Sequence, residues 1–232
     1  PSRTPGGSTS GSAAAVADCQ VPLALGTQTA GSVIRPASFC GIFGFKPSFG
    51  RYEIEGMLPT APSLDTLGTF ARSVADIALL DAVLAGEAHI GLPVPRVTGI
   101  AICRGPTWQQ ASPDMRRALE DAGARLAQSG ASVRELDLGA QFEGLAEAQA
   151  VLHRHEAFRC LGEIRRNKAD QVSEVFRNFI DAGERVTAAE YAAALAMQSS
   201  CRTAFEDLLG PDELLLTPSA PGVAPPGVAA TG

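Results

Sequence analysis

Two short loops rich in glycine, serine and threonine hold the residues of this sequence best suited to chemistry. The first loop covers residues 5–12 (PGGSTSGS) and the second residues 26–32 (GTQTAGS), which places Ser8 and Ser32 24 positions apart. A serine hydroxyl becomes a nucleophile when a base takes its proton, and consecutive backbone N–H groups in a glycine-rich turn can hold an oxyanion. On composition alone, a flexible linker and an ordinary turn also explain these loops.

The segments around the loops argue against a solvated linker. Residues 13–26 (AAAVADCQVPLALG) between the loops are largely apolar, and residues 33–45 (VIRPASFCGIFGF) after the second loop resemble a protein core. Both loops are therefore expected to be pinned against buried structure. A glycine-rich turn held in this way can direct several backbone N–H groups into one concavity.

Other catalytic and metal-binding signatures are absent from the sequence. It has no G-x-S-x-G elbow, Walker loop, H-E-x-x-H motif or credible G-x-G-x-x-G. His153 and His155 are two positions apart on a predicted helix, so their side chains diverge and cannot easily chelate one ion. A surface or packed role is favoured for both and for His89, which disfavours a Ser-His-Asp hydrolase. We expect no metal and no cofactor.

Composition restricts the class of protein and its partners. Of the 232 residues, 45% are hydrophobic and 19% charged, which excludes a disordered chain or a coiled coil. The net charge of −6 argues against nucleic acid as a direct partner. Five cysteines without C-x-x-C spacing predict buried thiols in a reducing, cytoplasmic compartment. No apolar run or leader predicts a membrane partner, and Pro1 suggests a piece of a longer protein.

Several elements follow from caps and periodicity. A capping box at Ser73 predicts a helix that ends at Gly86. A strand over 97–103, a helix between Ser112 and Gly130, and a strand over 131–137 form a predicted parallel βαβ unit. The remaining predictions are short buried strands or irregular core rather than helix over 33–49, mostly helix over 142–209 with a capping box at Thr187, and a short buried strand over 213–218.

The sequence of three segments resembles that of the amidase signature family, whose members cleave amide bonds with a Ser, cis-Ser, Lys triad. The segments are PGGSTSGSAAAVA, VPLALGTQTAGSVIRPASFCGIFGFKPS and SLDTLGTFARSVAD. The resemblance is dense from Pro5 to about Gly86. It implies an α/β fold, with a mixed β-sheet core covered by helices on both faces, in a chain truncated at both ends. It also implies one domain over 1–232, made of core motifs (5–86), the βαβ unit (97–137), a variable helical region (141–210) and a Pro-rich end (217–232).

The resemblance assigns roles to individual residues. Ser32 matches the acylating nucleophile, and Ser8 matches the serine that follows a cis peptide bond and relays the proton. The backbone N–H groups of Thr29, Ala30, Gly31 and Ser32 match the oxyanion hole. Substrate-binding residues stay unknown.

The family's catalytic lysine has no match in this sequence. The two lysines are Lys46, in the structural GFKPS stretch, and Lys168, in the helical region. A hydroxyl relay passes a proton but does not store it. We therefore expect these 232 residues alone to hydrolyse amides more slowly than the family normally does.

Five residues need a structural interpretation beside a functional one. Gln28 replaces the acid of the commoner GTDTGGS text, and Ala30 replaces a glycine whose N–H it can still supply if its φ is not positive. Arg35 is one position later than usual, where a carbonyl clamp or salt bridge is favoured over binding of a substrate carboxylate. For Asp65, a hydrogen-bond anchor is favoured over catalysis. Buried packing is favoured over reactivity for Cys40.

The resemblance leaves three functions open. A generic amidase acting on a small-molecule amide is the first choice. The second is a glutamine-hydrolysing amidotransferase of the tRNA-linked type, whose catalytic chain works with partner subunits. The third is a catalytically inactive amidase-like scaffold. A homodimer is an open alternative for the assembly.

Overall fold

A computed structural model describes residues 2–88 and 97–228, so the prediction for His89 lies outside the described residues. The helices are α1 (Ser10–Ala17), α2 (Ile34–Cys40), α3 (Val74–Ala85), α4 (Pro113–Gln128), α5 (Leu145–Asn167), α6 (Glu174–Glu184) and α7 (Ala188–Glu206). The strands are β1 (Leu23–Gln28), β2 (Phe43–Phe45), β3 (Thr66–Ala71), β4 (Gly99–Cys103), β5 (Ser132–Leu136) and β6 (Glu213–Leu216).

The chain has an α/β fold that divides into two compact units. The first consists of Pro1–Glu53, Thr66–Leu138 and Asp207–Gly232, and the second of Ile54–Asp65 and Gly139–Glu206. All six strands of the described residues lie in the first unit, in two sheets. One sheet is antiparallel with the order β1-β3-β2, and the other is parallel with the order β5-β4-β6.

The parallel sheet contains the predicted βαβ unit. Strand β4 pairs in parallel with β5, with Gly99 opposite Ser132, and α4 connects the two. The hydroxyl of Ser112 accepts a hydrogen bond from the N–H of Met115, as a helix N-cap does. The prediction of a parallel pair is thus confirmed.

One apolar cluster holds the helices that follow the two loops. Its buried members are Ala13 and Val16 of α1, Val33 at the N-cap of α2, Ala37 of α2 and Phe70 of β3. Because α1 follows the first loop and α2 follows the second, this cluster fixes both loops against the same side of the antiparallel sheet.

The helix α2 corrects the prediction of strands or irregular core over 33–49. Pro36 lies in the first turn of α2, where a missing N–H group breaks no intrahelical bond. Gly41 ends the helix in the left-handed conformation, with φ of 68°. Pro36 and Gly41 therefore lie inside a short helix and at its end, and a strand follows only at Phe43–Phe45.

Two burial predictions are also wrong. Strand β6 is half-buried rather than buried, with Leu214 53% exposed, because β6 is at an edge of its sheet. Among the cysteines, all of which are free, Cys103 and Cys201 are buried but Cys19 is exposed. Cys19 lies just after α1 with φ of 59°.

Residues 142–209 are mostly helical, as predicted, and form α5, α6 and α7. The side chain of Glu190 accepts hydrogen bonds from both the backbone N–H and the hydroxyl of Thr187, which confirms the capping box. The buried residues Ala157, Leu161 and Ile180 form the core between α5 and α6. No helix within residues 2–88 and 97–228 is long and apolar enough to cross a membrane.

A charged network ties the segment after β2 to α3. Arg51 donates to Asp81 through Nε and Nη2, each at 2.8 Å, and the Tyr52 hydroxyl donates to Asp81 at 2.6 Å. Hydrogen bonding from Arg51 is the main cause that holds the pKa of Asp81 below its usual range. The carboxylate therefore stabilises the fold fully above the unfolded-state pKa of about 3.9, and this contribution is lost as pH falls through the lower folded-state pKa.

We expect Asp81→Asn to lower the free energy of urea unfolding by about 1 kcal/mol at pH 7, because the ion pair with Arg51 is lost at a partly exposed site. The difference from the parent chain should shrink as pH falls through the folded-state pKa of Asp81. Glu87→Gln is the control, since Glu87 is 57% exposed and also contacts Arg51. An Asp81→Asn effect that is equal at all pH values would contradict this account.

Candidate active site

Thr9 brings the two loops together. Its backbone N–H donates to the carbonyl of Ser32 at 3.3 Å. Its hydroxyl donates to the carbonyl of Thr27 at 3.2 Å and accepts from the N–H of Thr27 at 3.4 Å. Because Thr9 directly follows Ser8, the backbone that carries Ser8 lies against the backbone that carries Ser32.

The first loop turns sharply just before Ser8. The Gly7–Ser8 peptide bond is cis, and Ser8 is exposed. Gly6 has φ of 81°, and a Cβ at this position would lie 2.9 Å from the Phe39 ring and 3.0 Å from Cα of Pro36. A glycine is therefore required here both by conformation and by the close approach of α2.

Arg35 clamps the first loop from α2. Its Nε and Nη2 groups both donate to the carbonyl of Gly7, at 3.2 and 3.0 Å. The predicted carbonyl clamp is thus confirmed. The guanidinium reaches across 28 positions of sequence to the residue that precedes Ser8, so it fixes the first loop relative to the helix that follows Ser32.

Residues 26–28 of the second loop form the end of β1, and residues 29–32 connect β1 to Val33, the N-cap of α2. The side chain of Gln28, the last residue of β1, is buried, and its Oε1 accepts from the N–H groups of Val33 and Ile34 at 2.8 and 3.0 Å. The four residues from Thr29 to Ser32 connect Gln28 to Val33 along the chain. Sequence reasoning considered only the charge of Gln28 and missed this role, because the helix that Gln28 caps was not predicted.

The open side of the second loop is the part suited to an oxyanion. Ala30 is exposed and Ser32 is half-buried. Ala30 does not have a positive φ, which is the condition under which its N–H can replace that of the usual glycine. A Cβ added to Gly31 would meet nothing within 4 Å. The loop therefore has open space beside Gly31, on the side where a side chain would point.

The other acidic and thiol candidates have structural partners. Asp65 is 6% exposed, and its Oδ2 accepts from the N–H groups of Thr60 and Ala61 at 2.7 and 2.8 Å, which confirms the hydrogen-bond anchor. The Sγ of Cys40 donates to the carbonyl of Pro5 at 3.5 Å. Burial raises the pKa of the Cys40 thiol, which favours the protonated, packed form over a reactive thiolate.

The lysines and histidines, also candidates, each have their own local surroundings. The Nζ of Lys46 donates to the carbonyl of Pro47, and burial lowers the pKa of Lys46. Lys168 is exposed at the end of α5. His153 packs edge-on against Phe179, whereas His155 stacks on Tyr191 with ring centroids 4.3 Å apart. In the described parts of the chain, no group of three or more His, Cys, Asp and Glu side chains could hold a metal ion.

Comparison with known proteins identifies the fold and the family of this chain. One solved structure of an amidase superposes on 97% of the chain with a TM-score of 0.90 and 35% identity, covering 51% of that protein. The fold is therefore that of an amidase-type α/β protein. The family model described as Amidase matches residues 1–231, and the chain belongs to the amidase family.

Two curated relatives show how wide the family is. 2-Amino-5-chloromuconic acid deaminase from Comamonas testosteroni is 35% identical over 99% of this chain and 51% of its own length. A glutamyl-tRNA(Gln) amidotransferase chain from Clostridium botulinum is 32% identical over 94% of this chain and 53% of its own length. The chain thus spans about half the length of the curated relatives it matches.

Two glycines form a matched pair that tests how closely the loops approach. A Cβ at Gly26 would lie 2.6 Å from both the Thr9 methyl group and the Phe70 ring, whereas a Cβ at Gly31 would meet no atom. We expect Gly26→Ala to lower the free energy of urea unfolding by about 1–3 kcal/mol through overpacking. Gly31→Ala should change it by less than about 0.5 kcal/mol. Equal effects of the two substitutions would contradict the close packing of Thr9 and Phe70 against Gly26.

Proposed function

We propose that the protein containing this chain hydrolyses a carboxylic amide through an acyl-enzyme on Ser32. The observation that carries the proposal is the hydrogen bond from the Thr9 N–H to the Ser32 carbonyl, since it places the Ser8 backbone beside the proposed nucleophile. The open second loop supplies the other requirement. Its backbone N–H groups from Thr29 to Ser32 are the proposed oxyanion hole.

The proposed reaction has two halves. In the first, Ser32 Oγ forms a bond to the amide carbonyl carbon and its proton passes to Ser8 Oγ. The tetrahedral species collapses when the C–N bond breaks, and Ser8 gives a proton to the leaving nitrogen. In the second half, water attacks the acyl carbon and loses a proton through the same relay, which releases the carboxylic acid and restores Ser32.

A base has to complete the relay, because Ser8 alone cannot hold a proton between steps. In the amidase signature scheme this base is an unprotonated lysine whose pKa burial lowers. Neither Lys46 nor Lys168 matches that position. Since the relatives are about twice as long as this chain, the proposed lysine belongs to that additional length.

The proposed substrate is a small-molecule amide. A second candidate is glutamine hydrolysis within an amidotransferase, which the Clostridium botulinum relative favours. Hydrolysis of glutamine but of no simple amide would support the second candidate. The opposite preference would support the first.

The role of Ser32 can be tested by covalent labelling. We expect a fluorophosphonate to modify Ser32 in the longer protein that contains this chain and the base, identified by peptide mass spectrometry, because its phosphoryl oxygen takes the place of the developing oxyanion. Ser32→Ala should lose the modification completely. Ser38→Ala is the matched control because Ser38 lies in α2, where its hydroxyl contacts Ser219 at 3.0 Å. Persistent modification of the Ser32→Ala protein would refute the assignment.

The requirement for a base that neither Lys46 nor Lys168 matches gives a second prediction. The purified 232-residue chain should hydrolyse a simple aromatic amide slowly, by a factor on the order of 10² or more below an intact family enzyme assayed beside it, because general-base catalysis contributes about this much. The measurement is the steady-state release of the amine. Hydrolysis at the family enzyme's rate, unchanged by Ser32→Ala, would contradict the mechanism.

A further inference from the structure

Gln28 has an unusual position between the antiparallel sheet and α2. It is the last residue of β1, and it is buried, with 8% of its surface exposed. Its single oxygen Oε1 accepts two backbone hydrogen bonds, from Val33 at 2.8 Å and from Ile34 at 3.0 Å. One neutral side chain thus holds the first amides of α2.

These two amides need an acceptor from outside the helix. The first N–H groups of any α-helix have no carbonyl partner within the helix. A serine, threonine, aspartate or asparagine at the N-cap usually supplies the acceptor, but the N-cap of α2 is Val33, whose side chain has no oxygen. Leaving a buried N–H without an acceptor is costly, so Gln28 replaces the missing cap.

The same contact determines the shape of the second loop. Gln28 joins the residue before the loop to the residues after it, so its side chain and the backbone from Thr29 to Val33 form a closed ring. The N–H of Arg35 donates to the carbonyl of Gly31 at 3.0 Å and ties the loop to the first turn of α2. Ser32 and the proposed oxyanion donors are carried by this ring.

We infer that Gln28 is a positioning residue for acylation, which fixes the direction of the backbone N–H groups from Thr29 to Ser32 without touching the substrate. This inference rests on the proposed function of those groups. The property that matters is an acceptor oxygen at the end of a side chain of this length. Glutamate offers such an oxygen, whereas leucine and methionine fill similar space without one.

The test compares Gln28→Leu with Gln28→Glu in the longer protein that contains this chain and the base. Gln20→Leu is the matched control, because Gln20 is exposed and its side chain donates to Asp18 at the surface. The readout is fluorophosphonate labelling of Ser32 as a function of probe concentration, which separates the maximal labelling rate from probe binding. Amide hydrogen exchange at Val33 and Ile34 is measured on the same proteins.

For Gln28→Leu we expect a maximal labelling rate about 10- to 100-fold lower, with probe binding changed less than about threefold, because misplacing reacting groups by about 1 Å costs this much. Exchange at Val33 and Ile34 should accelerate at least about tenfold. Gln28→Glu should restore both to within about threefold of the parent, and Gln20→Leu should change neither. A general loss of structure would not be rescued by glutamate or confined to these two amides.

Two outcomes would overturn the inference. One is a folded Gln28→Leu protein that labels like the parent, and the other is a Gln28→Glu protein that labels as slowly as Gln28→Leu. If Gln28→Leu does not fold, Gln28→Met takes its place because its unbranched chain fits the same volume. Failure of the parent protein, with its base present, to label at Ser32 would count against the proposed function instead. In that case, unchanged exchange at Val33 and Ile34 would still refute the positioning role.

Discussion

The contact between Thr9 and the second loop is the interaction on which the rest of the site depends. β1 is an edge strand of the antiparallel sheet, and the Thr9 hydroxyl satisfies both the N–H and the carbonyl of Thr27 on that strand. The amide of Thr9 then reaches the carbonyl of Ser32. A single residue therefore links the sheet, the first loop and the second loop. The apolar cluster beneath α1 and α2 stabilises this arrangement, because residues of both helices belong to one cluster with Phe70.

Two further side chains complete the arrangement, and each binds backbone rather than another side chain. Arg35 extends from α2 to the carbonyl of Gly7, and Gln28 extends from β1 to the amides that open α2. Backbone groups at fixed positions are suited to holding a transition state, since they need little reorganisation when charge develops. The polar side chains of this region thus organise the main chain, and the main chain presents the two serines.

The elements that the sequence predicts well are those whose signals are local. Ser112 and Thr187 each open a helix through contacts within four residues, so their caps can be recognised without a fold. Helix α2 escapes sequence reasoning because its capping oxygen comes from Gln28, on the preceding strand, while Pro36 and Gly41 suggest broken structure. The exposure of β6 depends on which strand lies beside it, and sheet order is not encoded in four residues. The two loops are recognisable because glycine and serine occur there beside apolar segments, but the contact made by Thr9 requires the folded chain.

The exposed thiol at the end of α1 has a practical consequence. Cys19 faces solvent, Cys103 and Cys201 are buried, and burial raises the pKa of both Cys40 and Cys160. A maleimide dye at neutral pH would therefore attach first to Cys19, without any engineered residue. Since α1 begins two residues after Ser8, such a dye would sit at the far end of the helix that leads from the first loop, where its fluorescence could follow ligand binding in real time.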